Sequence, residues 1–366
     1  MRTQIRACLI ALLLVAAIPA TVAQAADTQP EAGMIVFSSR HWEGDYSTDN
    51  GGPPTPYTSA VYVVPADGSA EPRQVVQVGD RADYPAYSPD KQWLYFQAPE
   101  DGHFQIFRCH EDGSEVQDLT KGHQPPGDRY GRSIARYSAK IVYTYHNGEI
   151  GRVAIMNADG SDEKLIAPDI GYHYMAELSP DGKSVAFAHT AKGYVLALKH
   201  LDTGELVTLT PDLPESYCPQ FTPDGKTLIF FRRNGAVYRI DIDGTNLKQL
   251  TDGSKYVEFR LAPTDKHGSS DPPVLSKDGK LIAYTAVVND VPQIHVMNLD
   301  GSGQRQVTFR PGPCGRPRFS PDGTRLAFVS WEGKYPQLFV IPLAGGEAKQ
   351  ITHFDSAVYF LEWKPE

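Results

Sequence analysis

An all-β fold of seven four-stranded antiparallel blades, closed into a ring, is what this sequence predicts. Three observations predict it. One unit of about forty residues recurs along nearly the whole chain. Each copy carries two short turn motifs at corresponding places. The two ends of the repeat array are out of phase, so that together they complete one blade.

The clearest copy is Phe221 to Thr251, FTPDGKTLIFFRRNGAVYRIDIDGTNLKQLT. Its two apolar runs, Leu228–Phe231 and Ala236–Ile240, are short and rich in β-branched and aromatic side chains, as strands are. Thr222-Pro223-Asp224-Gly225 precedes the first run. Proline presets φ at the second position of a type I turn, and glycine suits its end. Asp243-Gly244 is the second turn, and Leu247–Thr251 the next strand. With the strand that ends at Phe221, the unit has four strands, the content of a β-propeller blade.

The first turn recurs as SPDK at 88–91, SPDG at 179–182, SKDG at 276–279 and SPDG at 320–323. Tyr137-Ser138-Ala139-Lys140 is a worn copy, and Trp363-Lys364-Pro365-Glu366 begins a last one. The second turn recurs at Asp67-Gly68, Asp112-Gly113, Asp159-Gly160, Thr203-Gly204, Asp300-Gly301 and Gly345-Gly346. Most copies end in a Leu-Thr or Val-Thr pair such as Leu119-Thr120 or Val307-Thr308. The array opens on a second-position strand, Met34–Phe37, and closes on a lone first-position strand, Ala357–Trp363. Pairing these two removes the free sheet edges of an open array.

Residues 1–25 stand apart from the array. Arg2 and Arg6 precede the apolar run Ala7–Ile18, followed by Pro19 and the small-residue site Ala23-Gln24-Ala25. This pattern predicts a secretory signal peptide cut after Ala25, and a periplasmic or secreted protein. Residues 26–33 form a polar leader, and residues 34–366 the propeller.

The formal net charge is −9, and becomes −11 once Arg2 and Arg6 leave with the signal. This argues against a nucleic-acid partner, which needs a basic face. No apolar run after the signal is long enough to span a membrane. Cys109, Cys218 and Cys314 are odd in number and form no CxxC pair, so they read as small buried residues between blades.

Antiparallel topology sorts the loops. First-to-second and third-to-fourth turns share one rim, which holds only short turns. Their aspartates, Asp90, Asp181, Asp224, Asp278 and Asp322, read as turn residues. Second-to-third loops and blade-to-blade connections share the other rim, which holds the long segments: 41–57, 121–132, 168–174, 252–271 and 309–316. Function on a rigid scaffold concentrates in such loops. Eight of the eleven histidines fall on this rim.

The residues entering each first strand are the expected site, because first strands line the channel. His173, His267 and His353 are the expected ligands of a divalent metal, imidazole being a versatile metal donor. For catalysis the expected residues are His173, His267, Arg132 and Tyr217. Arg129, Tyr172, Tyr174, Asp265, Asp271, Arg316 and Tyr359 are expected to bind, since arginine forks match carboxylates and tyrosine rings offer stacking surfaces. The segment Asp265–Pro273 is the densest local cluster, and reads equally well as a loop that hydrogen-bonds its own backbone.

The SPDGK, apolar run, apolar run, DG, QLT unit resembles the WD40-like (PD40) repeat of TolB-type propellers, and it covers nearly the whole chain after the signal. The resemblance implies a bacterial envelope protein that serves as a binding scaffold for a protein or an acidic glycan at the long-loop rim. TolB proper has six blades and an extra α/β domain, so its role in the Tol complex is not implied. The chain is also similar to the oligogalacturonate lyase family, seven-bladed enzymes that use histidines and a divalent metal on one face. That likeness implies the alternative function, a metal-dependent lyase or hydrolase acting on acidic sugars.

Overall fold

The computed structural model describes residues 33–42, 57–123, 126–134, 140–147, 151–166, 173–190, 193–253 and 272–366. Their strands make seven four-stranded antiparallel sheets, with no α-helix among the described residues. All of these residues fall in one unit, Ala32–Glu366.

Blade 5 shows how the sequence builds a sheet. Its strands are Ser216–Phe221, Thr227–Arg232, Val237–Asp241 and Lys248–Gln249. Leu228, Ile229, Phe230 and Phe231 are all buried, because a blade is covered on both faces by its neighbours. Leu228 and Phe230 join a core with Ala186, Leu196 and Leu198 of blade 4. Ile229 and Val237 face the other way, onto Ile282 and Met297 of blade 6. The run is therefore continuously apolar, where a half-buried strand would alternate. Each such side chain contributes roughly 1.5–3 kcal/mol by leaving water.

The turn motifs close each sheet. Thr222 Oγ1 donates to Asp224 Oδ1 at 2.6 Å, and the Lys226 amide donates to the same oxygen at 3.1 Å. Ser88 with Asp90, Ser179 with Asp181 and Ser276 with Asp278 repeat the contact at 2.6–2.7 Å, and Ser320 with Asp322 repeats it at 2.5 Å. Hydrogen bonds from the turn hydroxyls lower the pKa of Asp90, Asp181, Asp224 and Asp278, against a smaller effect of burial. These aspartates are structural.

The terminal threonine of the repeat also has a definite task. Thr120, Thr210, Thr251, Thr308 and Thr352 each accept, on Oγ1, a backbone N–H from the third strand, at 2.8–3.1 Å. The hydroxyl takes the place of one more ladder partner and ends a fourth strand of only two or three residues. Short outer strands leave little edge on which another chain could pair.

The ring closes as expected. Met34–Trp42 hydrogen-bonds to Tyr57–Pro65 on one side and to Ala357–Trp363 on the other, and Arg73–Val76 completes the sheet. Ile35 lies opposite Trp363, and Arg40 opposite Ala357. Trp363 Nε1 donates to the Arg318 carbonyl at 3.0 Å, which ties the closing strand to blade 7.

Candidate functional site

The first strand of each blade lies innermost. In six blades its pairing slips at one place: between Asp83 and Ala86, Tyr130 and Ser133, Tyr174 and Glu177, Tyr217 and Gln220, Gly315 and Arg318, and, in the closing strand, Tyr359 and Glu362. These are β-bulges, which bend a strand and re-aim its side chains. Five of them hold a non-glycine residue in the left-handed region: Tyr84 at φ 54°, Met175 at 55°, Cys218 at 49°, Arg316 at 55° and Phe360 at 44°. Such backbone costs about 1–3 kcal/mol per residue and persists only where the surroundings impose it.

All five line one cavity of about 420 Å³ formed by the inner strands of blades 1, 2, 4, 5, 6 and 7. Its upper end is the level of the bulges. Its lower end reaches the short-turn rim at Pro89, Ser276 and Pro321. Much of the long-loop rim expected to carry the site lies outside the described residues; the described cavity runs down the axis toward the short-turn rim. The bulges turn mid-strand side chains into this cavity.

Beside the cavity, arginine and aromatic side chains interleave, and of these Tyr84, Arg316 and Phe360 line it. The Arg316 guanidinium lies 5.0 Å from the Phe360 ring centre and 5.5 Å from that of Tyr359. Arg40 approaches the same two rings at 5.0 and 4.6 Å, and Tyr57 at 4.7 Å. Arg81 also lies over the Tyr57 ring, 4.3 Å from its centre. Phe360 in turn stacks on Tyr84, with ring centres 3.6 Å apart. Arg40 forks onto Asp83 through Nε and one Nη, both at 3.1 Å, and Tyr57 O–H donates to the same carboxylate at 3.3 Å. Burial opposes the charge on Arg40, yet Asp83 and the surrounding tyrosines raise its pKa further. Burial likewise raises the pKa of Tyr57, against the opposing pull of Arg40.

Of the residues expected to bind, Arg316 and Tyr359 are thus brought together. Arg129 is elsewhere. It is 1% exposed, donates to Glu163 at 3.1 Å, to the Gly127 carbonyl at 3.1 Å and to Gln105 at 3.4 Å. Tyr143 O–H also bonds Glu163, and His123 lies 3.0 Å from it. Arg129 therefore clamps blades 2 and 3 together and does not line the cavity. Tyr217 lies on the rim, where its hydroxyl donates to Glu215 and accepts from Arg233, both at 3.1 Å. His173 is fully buried. Its Nδ1 lies 2.9 Å from the Gly151 carbonyl and its Nε2 lies 2.9 Å from His189 Nδ1. A carbonyl only accepts, so Nδ1 carries the proton, Nε2 is the acceptor, and His189 donates to it. Burial lowers the pKa of both rings, which keeps the pair neutral. His353 is exposed in the connection to the closing strand. Among the described residues no three His, Cys, Asp or Glu side chains converge as metal ligands. Tyr172, Asp265, His267 and Asp271, and the side chains of Arg132 and Tyr174, lie outside the described residues.

Sequence reasoning missed Arg40, Tyr57, Tyr84, Met175, Cys218 and Phe360. A signal for four of them was there. Tyr84, Met175, Cys218, Arg316 and Phe360 stand four residues before Ser88, Ser179, Thr222, Ser320 and Lys364, the residue before the second turn position, and three of the five bulge residues precede proline.

Residues 266–365 match the family model of the TolB β-propeller domain. An uncharacterized protein of Agrobacterium fabrum is 29% identical over 138 residues, which is 35% of this chain and 46% of that protein. The match therefore spans less than half the length of that relative. The crystal structure of TolB from Acinetobacter baumannii is similar with a TM-score of 0.52 and 19% identity, over 91% of this chain and 67% of that one. An oligogalacturonate lyase in complex with manganese gives a TM-score of 0.58 at 15% identity, over 85% of this chain and 93% of that one. At these identities the structural likenesses are likenesses of fold. No helix of the described residues is long and apolar enough to cross a membrane.

Proposed function

Taking the chain as a TolB-like β-propeller, we propose that it is a periplasmic or secreted binding scaffold. It holds a protein or glycan that carries a carboxylate, without transforming it. One observation carries this reading. Two guanidinium groups, Arg81 and Arg316, lie on the rings of Tyr57, Tyr359 and Phe360 beside the axial cavity, next to Arg40, whose own fork is taken by Asp83. A guanidinium stacked on rings is pre-organised, so little side-chain freedom is lost when it forks onto an incoming carboxylate. The net charge of −9 makes this a local concentration of cations on an acidic protein, a device that selects ligand sign and orientation.

The lyase alternative needs a divalent metal and a proton acceptor at the scissile sugar. The only imidazole pair among the described site histidines is His173 with His189, and hydrogen bonds occupy both nitrogens of His173. Nothing there favours ligation over the hydrogen bonds already made.

The test is calorimetric titration of purified protein with acidic oligosaccharides and acidic peptides, alongside a watch for unsaturated-uronate absorbance. The reading expects salt-sensitive binding of one ligand class, a loss of at least tenfold in affinity on Arg316→Ala, and no absorbance. Turnover that disappears with His173→Ala would overturn it in favour of the lyase. N-terminal sequencing of protein from the periplasm should begin at Ala26; a chain beginning at Met1 would remove the location from the proposal.

A further inference from the structure

Six prolines and five aromatic side chains line the axial cavity. Pro85 and Pro219 sit inside inner strands, each directly after a left-handed bulge residue. An inner strand is the edge of its sheet, so its N–H groups on that side have no strand to meet. Proline has no N–H, and at these places the edge offers the cavity a ring face in place of a donor. Tyr84, stacked on Phe360, continues the wall together with Phe319 and Trp363. Met175 comes from blade 4, across the axis from blade 1. Most polar side chains that share the wall are already engaged. Arg318 pairs with Glu362 at 3.3 Å and Lys277 with Glu366 at 3.4 Å. Tyr87 O–H donates to Glu111 at 2.8 Å, and Gln220 accepts the Leu275 amide at 3.0 Å. The lining carries three cations, Arg316, Arg318 and Lys277, against three anions, Glu177, Glu362 and Glu366, so it favours neither sign of ligand.

We infer that the axial cavity binds a neutral, flat aromatic molecule. Its volume of about 420 Å³ is that of a small-molecule pocket. Aromatic rings stack on the faces that Tyr84, Phe360 and the prolines supply, and a thioether such as Met175 favours contact with a ring edge. A charged ligand would have to break an ion pair of the wall or leave its own charge uncompensated away from water. A flexible aliphatic chain would lose rotational freedom on entry that a rigid ring does not have to lose. The inference concerns the body of the cavity and does not rest on the carboxylate-binding reading.

The test is calorimetric titration of the full protein with naphthol, with naphthoate and octanol as the charged and the flexible comparator. The expected result is one naphthol per chain, an affinity insensitive to salt, and a loss of about tenfold on Phe360→Ala. Both comparators should bind more weakly by about tenfold or more. Circular dichroism confirms the fold of the variant. Should it unfold, wild-type protein with isotope-labelled methionine methyls takes its place. Naphthol should then shift the Met175 resonance, assigned as the one missing from Met175→Leu, and leave those of the fully buried Met156 and Met297 where they were. The inference is overturned by no saturable binding of naphthol, by a Met175 resonance that does not move, or by octanol binding as tightly. Tighter binding of naphthoate, lost in Arg316→Ala, would also overturn it and would assign the cavity to the carboxylate site instead.

Discussion

Replacing Asp83 by alanine removes the carboxylate that accepts three hydrogen bonds, from Arg40 and Tyr57. Asp83 is 1% exposed and the Arg40 side chain 12% exposed, so both partners have been taken out of water. The variant deletes two hydrogen bonds from Arg40 and one from Tyr57 and leaves a guanidinium enclosed among rings. Breaking a buried pair from one side costs about 3–5 kcal/mol, because the surviving charge is uncompensated. With an unfolding entropy of about 2.1 cal/mol/K per residue, a propeller of this size should melt about 4–7 °C lower. The pair joins the opening strand to blade 2, and Tyr359 of the closing strand packs on Arg40. The loss should therefore fall on the seam of the ring. Scanning calorimetry of wild type, Asp83→Ala, Arg40→Met and the Arg40→Met/Asp83→Leu pair reads the cycle. The double variant should regain most of the loss, since apolar residues of similar volume replace a buried ion pair at little cost. A single variant that melts within about 1 °C of wild type, or a double variant worse than both singles, would refute the reasoning.

Stability should also depend on pH through the histidine pair. The pKa values of His173 and His189 are lowered in the fold by burial, so below the unfolded value of about 6.5 the unfolded chain binds more protons than the folded one. Stability is therefore at its full value above that pH and falls as the pH drops toward the folded values, by up to about 1.4 kcal/mol per pH unit for each ring. Urea melts between pH 8 and pH 5 check this, and an unchanged slope in His173→Gln/His189→Gln would contradict it. Thr251→Val removes the acceptor for the buried Val237 amide while keeping the shape, and should cost about 1–3 kcal/mol in a urea melt. Thr251→Ser, which restores the oxygen, should recover most of that.

Much of the architecture is legible in the residues because each signal is local. A proline, an aspartate and a glycine in sequence build the same turn wherever they occur, and two apolar runs spaced by it make a hairpin. The phase of Met34 and Ala357 even announces the closure. The fourth strands were harder to bound. Leu247–Thr251 reads as a strand, yet only Lys248–Gln249 pairs as one, because the Thr251 hydroxyl takes over the next ladder bond. The site was legible only in part. Arg316 and Tyr359 stand out by residue type and meet, whereas Arg129 has the same chemistry and is consumed between blades.

What the sequence determined by itself is the repeat: its turns, its apolar strands, its number of blades and the joining of its ends, all encoded within a few residues of where they act. What only the tertiary structure decided is which side chains share the axis. Asp83, Arg316 and Tyr359 lie in three inner strands, and the repeat gives each its place within a blade, whereas only the packing of the blades brings their side chains together. A one-residue bulge in each strand sets the direction of Tyr84, Met175, Cys218, Arg316 and Phe360, and that direction follows from how neighbouring strands pair, not from the residue that turns.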